Sequence, residues 1–414
     1  GGLQSAAPAA RAELLAALES HAGDPIFRTG LERLAADPNF ARLNPAQQAD
    51  AIRAFDQFAS RDVYQGKDGS WFFNIGARSV SDADKRKILD NLADVVTARG
   101  FHDVGADSRE ALLGAFAAHA TDAGFSGRLI NLVNDRGFLG LNDGNLEVDL
   151  LKAYGGDEHL AAGLDAVIAS GAYTALGRAA RATVIGDATR LVKTDSYQDT
   201  DAAHRQEMVE MFGDIAAFSA AHSGRTSIRN SIDRVLSGDI QLHVYQEAPE
   251  VTPHGTFLSW GYANDDGIFL NTDAATRAAG GAAQFADTLV HEVNHFVNGN
   301  TDAGTADRFL DEYRAAVVGQ EARLGRALTP AEQRGVVDNL VDGTNNAYAH
   351  LHDLYNDDAT FQQVVDDLRA TLDGNLDPAI NRPPASVSPE ALRQRLLDAG
   401  ITSDYLNRAG DLDN

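Results

Sequence analysis

Apolar residues in the first half of the chain recur at helical spacing, and the pattern occurs four times. The first and third copies align Phe27, Leu31 and Leu34 with Phe125, Leu129 and Leu132. The four copies start near residues 24, 85, 122 and 157. Each copy predicts a helix, a turn and a second helix, whose apolar stripe needs a neighbour to cover it. Residues 1–236 are therefore predicted to form an α-helical repeat array.

One interruption separates the first two copies. Val63 and Tyr64 precede a turn at 67–69, and Trp71 and Phe72 follow it. Aromatic and β-branched residues on both sides of a glycine-containing turn are typical of two paired strands. Residues 62–76 are therefore predicted to be an inserted β-hairpin.

The spacing changes near residue 237, where alternation replaces the helical period. Residues 240–245 alternate as a strand does, and 267–271 form a short apolar run between polar turns. Helical spacing returns in 284–299 and in 306–324. This mixture of strands and helices predicts an α+β domain.

Together these patterns predict a mainly α protein with three parts. Residues 1–236 hold the helical repeats, and 237–376 form the α+β domain. Residues 377–414 begin with a proline-rich linker and continue into a last amphipathic helix.

An H-E-x-x-H pentad, with His291, Glu292 and His295, lies inside the predicted helix 284–299. Residues four apart face the same side of a helix, so the two imidazoles project together and can hold one Zn²⁺ between them. Glu292 then lies beside the ion, where its carboxylate can take a proton from a water whose pKa the ion lowers to about 7. The pentad therefore indicates a zinc hydrolase.

A catalytic zinc needs a third protein ligand and one open position. Glu312, on the predicted helix 306–324, is the preferred candidate. Ala315 and Ala316 follow it by one turn and would let two helices approach closely. Asp311 is the rival ligand, and on a helix its side chain points about 100° away from that of Glu312.

The pentad followed by the Asp-Glu-Tyr-Arg-Ala segment at 311–315 resembles the gluzincin group of zincin metallopeptidases. It is similar to the HExxH domains of bacterial effectors and toxins, over roughly residues 238–360. The resemblance implies zinc ligands at His291, His295 and Glu312, and a general base at Glu292. It also implies a secreted or translocated zinc endopeptidase that cleaves a protein target. The third histidine of metzincins is missing after His295.

Two further roles concern the substrate. The strand at 268–270 is expected to align the backbone of a bound peptide. Tyr348, His350 and His352 are candidate donors to the oxyanion, a role that zincins give to a Tyr or His. Because His350 and His352 are two apart, at most one of them would face the zinc. The other interpretation is an ordinary polar helix face with Tyr348 in the core.

Composition narrows the classes of partner. A formal charge of −25 over 414 residues argues against an extended nucleic-acid-binding face. No apolar stretch approaches the roughly 18 residues of a membrane span, and the chain has no cysteine. A soluble protein is predicted, with a protein or peptide substrate and with the repeats as a candidate surface for a protein partner.

Two other functions stay open at this point. One is a helical-repeat interaction module whose pentad is inactive, which metal analysis would distinguish. The other is a zinc amidase that acts on non-protein amides, which differs only in its substrate.

Overall fold

The computed structural model describes residues 8–66, 80–141, 143–252, 255–257, 259–298, 305–343 and 348–373. The described chain is mainly helical, as the sequence predicts. It divides into two compact units, Gly1–Val192 (unit 1) and Lys193–Asn414 (unit 2). Among the described residues, none of the helices combines the length and the apolar composition that a membrane crossing requires.

In the described part of unit 1, α1 (Pro8–Ser20) comes first, and then a helix, a short helical turn and a second long helix follow one another four times. The first set is α2 (Pro25–Ala36), α3 (Pro38–Arg42) and α4 (Pro45–Ala59), followed by a single turn, α5 (Asp62–Gln65). The second set is α6 (Asp82–Thr97), α7 (Arg99–Asp103) and α8 (Ala106–Ala118). The third is α9 (Ala123–Asn134), a 3₁₀ turn (Phe138–Gly140) and α10 (Gly144–Gly156). The fourth is α11 (Glu158–Ala169), α12 (Gly171–Thr174) and α13 (Arg178–Leu191).

Three of these sets begin with an aspartate that caps the first helix. The caps are Asp24, Asp122 and Asp157, whose carboxylates accept the backbone N–H groups two and three residues further on. The third residue after each cap is Phe27, Phe125 or Leu160, and each is fully buried at 0% exposure. The cap satisfies backbone donors that the first helical turn leaves without partners. It therefore fixes where each helix starts and which residue first enters the core.

The predicted strand at Val63 and Tyr64 is wrong, because these residues belong to the helical turn α5. Gly66 closes that turn in the left-handed conformation, with φ of 69°. Tyr64 is fully buried, and its hydroxyl donates to Asp24 Oδ2 at 3.0 Å. Burial of this ring against the helices outweighs the strand preference of its neighbours. The rest of the expected hairpin, from residue 67 onward, lies outside the described residues.

Unit 2 starts with three helices: α14 (Asp195–Asp199), α15 (Ala202–Ala221) and α16 (Thr226–Ser237). The expected domain boundary near residue 237 marks the change from helix to strand, but the compact unit already starts at Lys193. The reason is that α15 is bonded to residues that come after the strands. Glu210 pairs with Arg277 at 2.7 Å, and Glu207 accepts a hydrogen bond from Thr272 at 2.9 Å.

The strands among the described residues form two small sheets. They are β1 (Leu242–Tyr245), β2 (Glu250–Thr252), β3 (Gly255–Phe257), β4 (Gly261–Asn264) and β5 (Gly267–Asn271). The larger sheet has the order β1-β5-β4, with β5 parallel to β1 and antiparallel to β4, while β2 pairs with β3. The expectation that residues 268–270 align a substrate is therefore wrong. This strand, β5, is central, and its backbone groups are engaged by strands on both sides.

The remaining helices carry the candidate site and a second core. They are α17 (Ala274–Asn298), α18 (Thr305–Leu324), α19 (Pro330–Leu340), α20 (Ala349–Asp357) and α21 (Ala359–Leu372). Gly281, with φ of 62°, interrupts α17, so the pentad lies on the segment after this break. Phe285, Leu289 and Val293 bury one side of that segment. Phe309 on α18 is fully buried in a cluster with side chains from α19, α20 and α21. The predicted linker and last helix, 377–414, lie outside the described residues.

Candidate metal centre

Three side-chain atoms from two helices face one another. The Nε2 atoms of His291 and His295 on α17 lie 2.9 Å apart. Oε2 of Glu312 on α18 lies 3.6 Å from His291 Nε2 and 3.4 Å from His295 Nε2. The structure thus brings together the three residues that the sequence predicts as ligands.

The spacing of these atoms suits a small cation. A triangle with sides of 2.9, 3.4 and 3.6 Å has a circumscribed circle of about 1.9 Å radius, so one point lies about that far from all three atoms. Zinc binds imidazole nitrogen and carboxylate oxygen at about 2.0–2.2 Å. His291, His295 and Glu312 therefore fit a zinc ion with only small movements of their side chains.

Asp311 does not take the place of Glu312 in this group. Its Oδ2 lies 2.6 Å from Nδ1 of His295, on the side of the ring that faces away from His291. Both side chains are buried, with 3% of Asp311 and 6% of His295 exposed. A carboxylate that accepts a hydrogen bond from Nδ1 fixes the orientation of the ring and leaves Nε2 directed at the common point.

The two carboxylates of α18 make this point favourable for positive charge. Burial alone would lower the pKa of His295, but its hydrogen bonds with Asp311 and Glu312 outweigh burial and raise that pKa to about 10. Burial alone would raise the pKa of Glu312, but hydrogen bonds from His291 and His295 hold it well below its usual range. Glu312 is therefore an ionised carboxylate, the form that binds metals.

Glu292, the glutamate of the pentad, lies in the same group. It offers an oxygen within 4.8 Å of the ligand atoms of His291 and His295. Only 7% of the residue is exposed. Burial raises the pKa of this carboxyl, and the charges of His291 and His295 offset burial in part. A carboxylate with a raised pKa is a stronger base, as proton abstraction from water requires.

The structure separates the three candidate donors to the oxyanion. The hydroxyl of Tyr348 hydrogen-bonds Glu312, and burial together with the charges of Glu312 and Glu292 raises its pKa, so the hydroxyl keeps its proton. His350 lies within electrostatic reach of Glu312, and burial and Arg308 lower its pKa. His352 points elsewhere, because its Nδ1 donates to the carbonyl of Val341 at 2.9 Å. Tyr348 and His350 thus lie near the site, whereas His352 does not.

Sequence reasoning missed three residues at the contact between α17 and α18. Asp287 lies one turn before His291 and is paired with Arg323 of α18, with Nε and Oδ2 3.2 Å apart. Opposite Asp287 is Gly319, where an added Cβ would come within 2.4 Å of Asp287 Oδ1. Gly319 follows Glu312 by seven residues and so lies on the same side of α18. A glycine seven residues after Glu312 is the sequence signal that would have identified the close approach of α17 and α18.

The candidate site is thus built from side chains of α17 and α18 together with Tyr348 at the start of α20. Comparisons of the chain with models of protein families, with curated proteins and with solved structures find no match, so the chemistry of these side chains is what points to a function.

Proposed function

We propose that the chain is a zinc-dependent endopeptidase and that unit 2 contains a zincin-like catalytic domain. The observation that carries the proposal is the common point about 1.9 Å from His291 Nε2, His295 Nε2 and Glu312 Oε2. Two imidazoles and one carboxylate form a donor set that zinc uses in hydrolytic sites. Because three protein ligands leave the fourth position of a tetrahedral ion open, such a site is suited to catalysis rather than to structure.

Zinc bound there would polarise the carbonyl group of a substrate and make a water molecule more acidic. Asp311 supports this role by orienting His295 through Nδ1. Its carboxylate also adds negative charge beside the ligands. Holding His291, His295 and Glu312 in one geometry before substrate arrives avoids reorganisation during the reaction.

Glu292 is the proposed general base. Its carboxylate accepts a proton from water and then donates that proton to the amine that leaves when the amide bond breaks. One residue serves both steps because the proton that it takes up is the proton that the leaving nitrogen needs. Its burial and its place beside both histidines support this assignment.

Tyr348 is the proposed donor to the oxyanion. Its hydroxyl already lies at hydrogen-bonding distance from Glu312 and keeps its proton across the neutral range. Negative charge develops on the carbonyl oxygen in the transition state, and a fixed O–H donor stabilises it there. His350, which lies further toward the surface, is the second candidate for this role.

The four helical sets of unit 1 support a proposal about how a target is selected. We interpret them as a repeat array, because each set has the same order of elements and three begin with an equivalent aspartate cap. Stacked helix pairs of this kind present extended surfaces to other proteins. In this proposal unit 1 is the scaffold of a secreted or translocated bacterial protease, and a protein target is its substrate.

Metal analysis combined with a cleavage assay tests the proposal. The purified protein is expected to hold about one zinc per chain, which His291→Ala loses and Glu292→Gln keeps. Cleavage, scored as new peptide termini after incubation with a bacterial or host lysate, is expected to disappear in both variants. His204→Ala is the matched control, because Nδ1 of this histidine on α15 bonds Asp201 Oδ2 at 2.7 Å. A wild-type protein that binds no zinc would refute the proposal, and zinc binding without cleavage would leave only the metal site.

A further inference from the structure

One side of the three-stranded sheet carries four neighbouring aromatic rings, two from β1 and one each from β5 and β4. We call His243, Phe269, Tyr262 and Tyr245 the aromatic ladder. The strand register pairs Phe269 with His243 on one side and with Tyr262 on the other. Ring centroids are 4.5 Å apart for His243 and Phe269, 4.7 Å for Phe269 and Tyr262, and 5.4 Å for Tyr262 and Tyr245.

The aromatic ladder faces away from the core of unit 2. Leu242, Ile268 and Leu270 occupy the alternate strand positions and are fully buried. Tyr262, in contrast, is 45% exposed. Its ring stacks on that of Phe269, with an angle of 5° between the two ring planes. Exposed aromatic surface bordered by polar groups is typical of binding sites.

Acidic residues lie beside the aromatic ladder in two places. Asp265 and Asp266 are exposed in the turn between β4 and β5, and the main-chain carbonyl of Asp266 lies 3.4 Å from His243 Nε2, so this acidic turn adjoins the ladder. Next to Tyr245, burial and the charges of Glu247 and Glu292 raise the pKa of its hydroxyl against the effect of its hydrogen bond with Ser259. The charges that raise this pKa are negative.

We propose that the aromatic ladder is an exosite for a basic segment of a partner protein, with an arginine side chain over the ring of Tyr262. A guanidinium over an aromatic face is attracted by the ring, and nearby carboxylates complement its charge. Nucleic-acid bases also stack on such rings, but these carboxylates and the net charge of −25 would repel phosphates. A cationic peptide is therefore the occupant that the charges favour.

This inference concerns binding alone and does not depend on zinc or on catalysis. Calorimetric titration without added metal tests it, with an acetylated and amidated Gly-Arg-Gly-Arg-Gly-Arg-Gly peptide as the probe. The matched peptide carries citrulline in place of arginine, which keeps the planar shape but replaces one N–H donor group by a carbonyl oxygen and removes the charge. Citrulline in the peptide, or Tyr262→Ala in the protein, is expected to weaken binding about two- to fivefold for each cation–π interaction that is removed. Tyr262→Phe keeps the ring and is expected to retain the affinity.

Four results would overturn the proposal of an exosite at the aromatic ladder. They are equal affinity for the two peptides, unchanged affinity in Tyr262→Ala, loss of binding in Glu312→Gln, and tighter binding of an eight-residue oligothymidine than of the arginine peptide. Loss in Glu312→Gln would mean that the peptide enters the metal site instead. The comparison of the two peptides uses wild-type protein, so it stands even if Tyr262→Ala fails to fold.

Discussion

Asp311 Oδ2 lies 2.6 Å from Nδ1 of His295, while the next residue, Glu312, faces the Nε2 side of the same ring. Two adjacent carboxylates of α18 thus hold opposite sides of one imidazole. This relationship assigns different roles to the two residues that the sequence left as rivals. In the proposed zinc site Glu312 is a ligand, and Asp311 orients the ligand His295.

Asp311→Asn is expected to weaken zinc binding about 10- to 100-fold, because an amide accepts a weaker hydrogen bond from His295 and adds no charge. Competition with a chromophoric chelator measures the affinity. Asp265→Asn removes an exposed carboxylate of the same unit and is the control. Equal zinc affinity in Asp311→Asn and wild type would contradict the orienting role.

Gly319→Ala is expected to lower zinc affinity by separating α17 from α18, since the new Cβ would lie 2.4 Å from Asp287 Oδ1 and 2.9 Å from the Asp287 carbonyl. Moving α18 outward carries Glu312 away from His291. Gly335→Ala is the matched control, because nothing lies within 4 Å of its added Cβ and alanine favours the helix. The two variants should diverge in the chelator assay. Similar affinities in both would show that the close approach does not position the ligands.

Tyr348→Phe is expected to reduce kcat about 10²- to 10³-fold with little change in zinc content, because it removes a donor that acts on the transition state. KM should change less than kcat. His352→Gln should leave kcat near the wild-type value, since His352 bonds the Val341 carbonyl rather than the site. A wild-type kcat in Tyr348→Phe would transfer the donor role to His350.

Zinc removal is expected to destabilise unit 2, because the proposed ion would bind residues of two helices that only the folded chain brings together. At a free zinc concentration 1,000 times Kd, the free energy of unfolding should rise by about 4 kcal/mol. Thermal denaturation with zinc and with a chelator measures the difference. In His291→Ala the two curves should coincide, and a persistent difference there would indicate another metal site.

Asp24 is expected to make the free energy of unfolding of unit 1 depend on pH in the acidic range. Burial opposes its charge, but the N–H of Phe27, the hydroxyl of Tyr64 and Lys85 together lower its pKa below 3.8. A carboxylate with a depressed pKa stabilises the fold above its unfolded pKa, and that contribution is lost as pH falls through the folded value. Asp24→Asn keeps the cap and loses the charge. The measurement is the urea midpoint of wild type and of Asp24→Asn at a series of pH values. The difference between the two midpoints should be constant near neutrality and shrink below pH 3.8. A difference that grows in acid would contradict a lowered pKa for Asp24.

The sequence reveals the pentad and the helix of Glu312 because both are local patterns of period 3.6. The role of Asp311 and the contact at Gly319 depend on how two helices pack, which spacing along one helix does not specify. The position of β5 depends on strand pairing. Its continuous apolar run, with Ile268 and Leu270 fully buried, is in fact more typical of a central strand than of an edge. At Tyr64 a local strand preference yields to burial among helices.

The aspartate caps of unit 1 bear on how the acidity of this chain can be altered. Asn serves at a helix start about as well as Asp, whereas Ala costs about 0.5–2 kcal/mol for each helix. Asp122→Asn and Asp157→Asn should therefore yield a less anionic protein of nearly unchanged stability, whereas the alanine versions should have a lower free energy of unfolding. To reduce the negative charge of this chain for crystallisation, Asp122 and Asp157 can be changed to asparagine. Alanine is unsuitable there because each of these residues caps a helix.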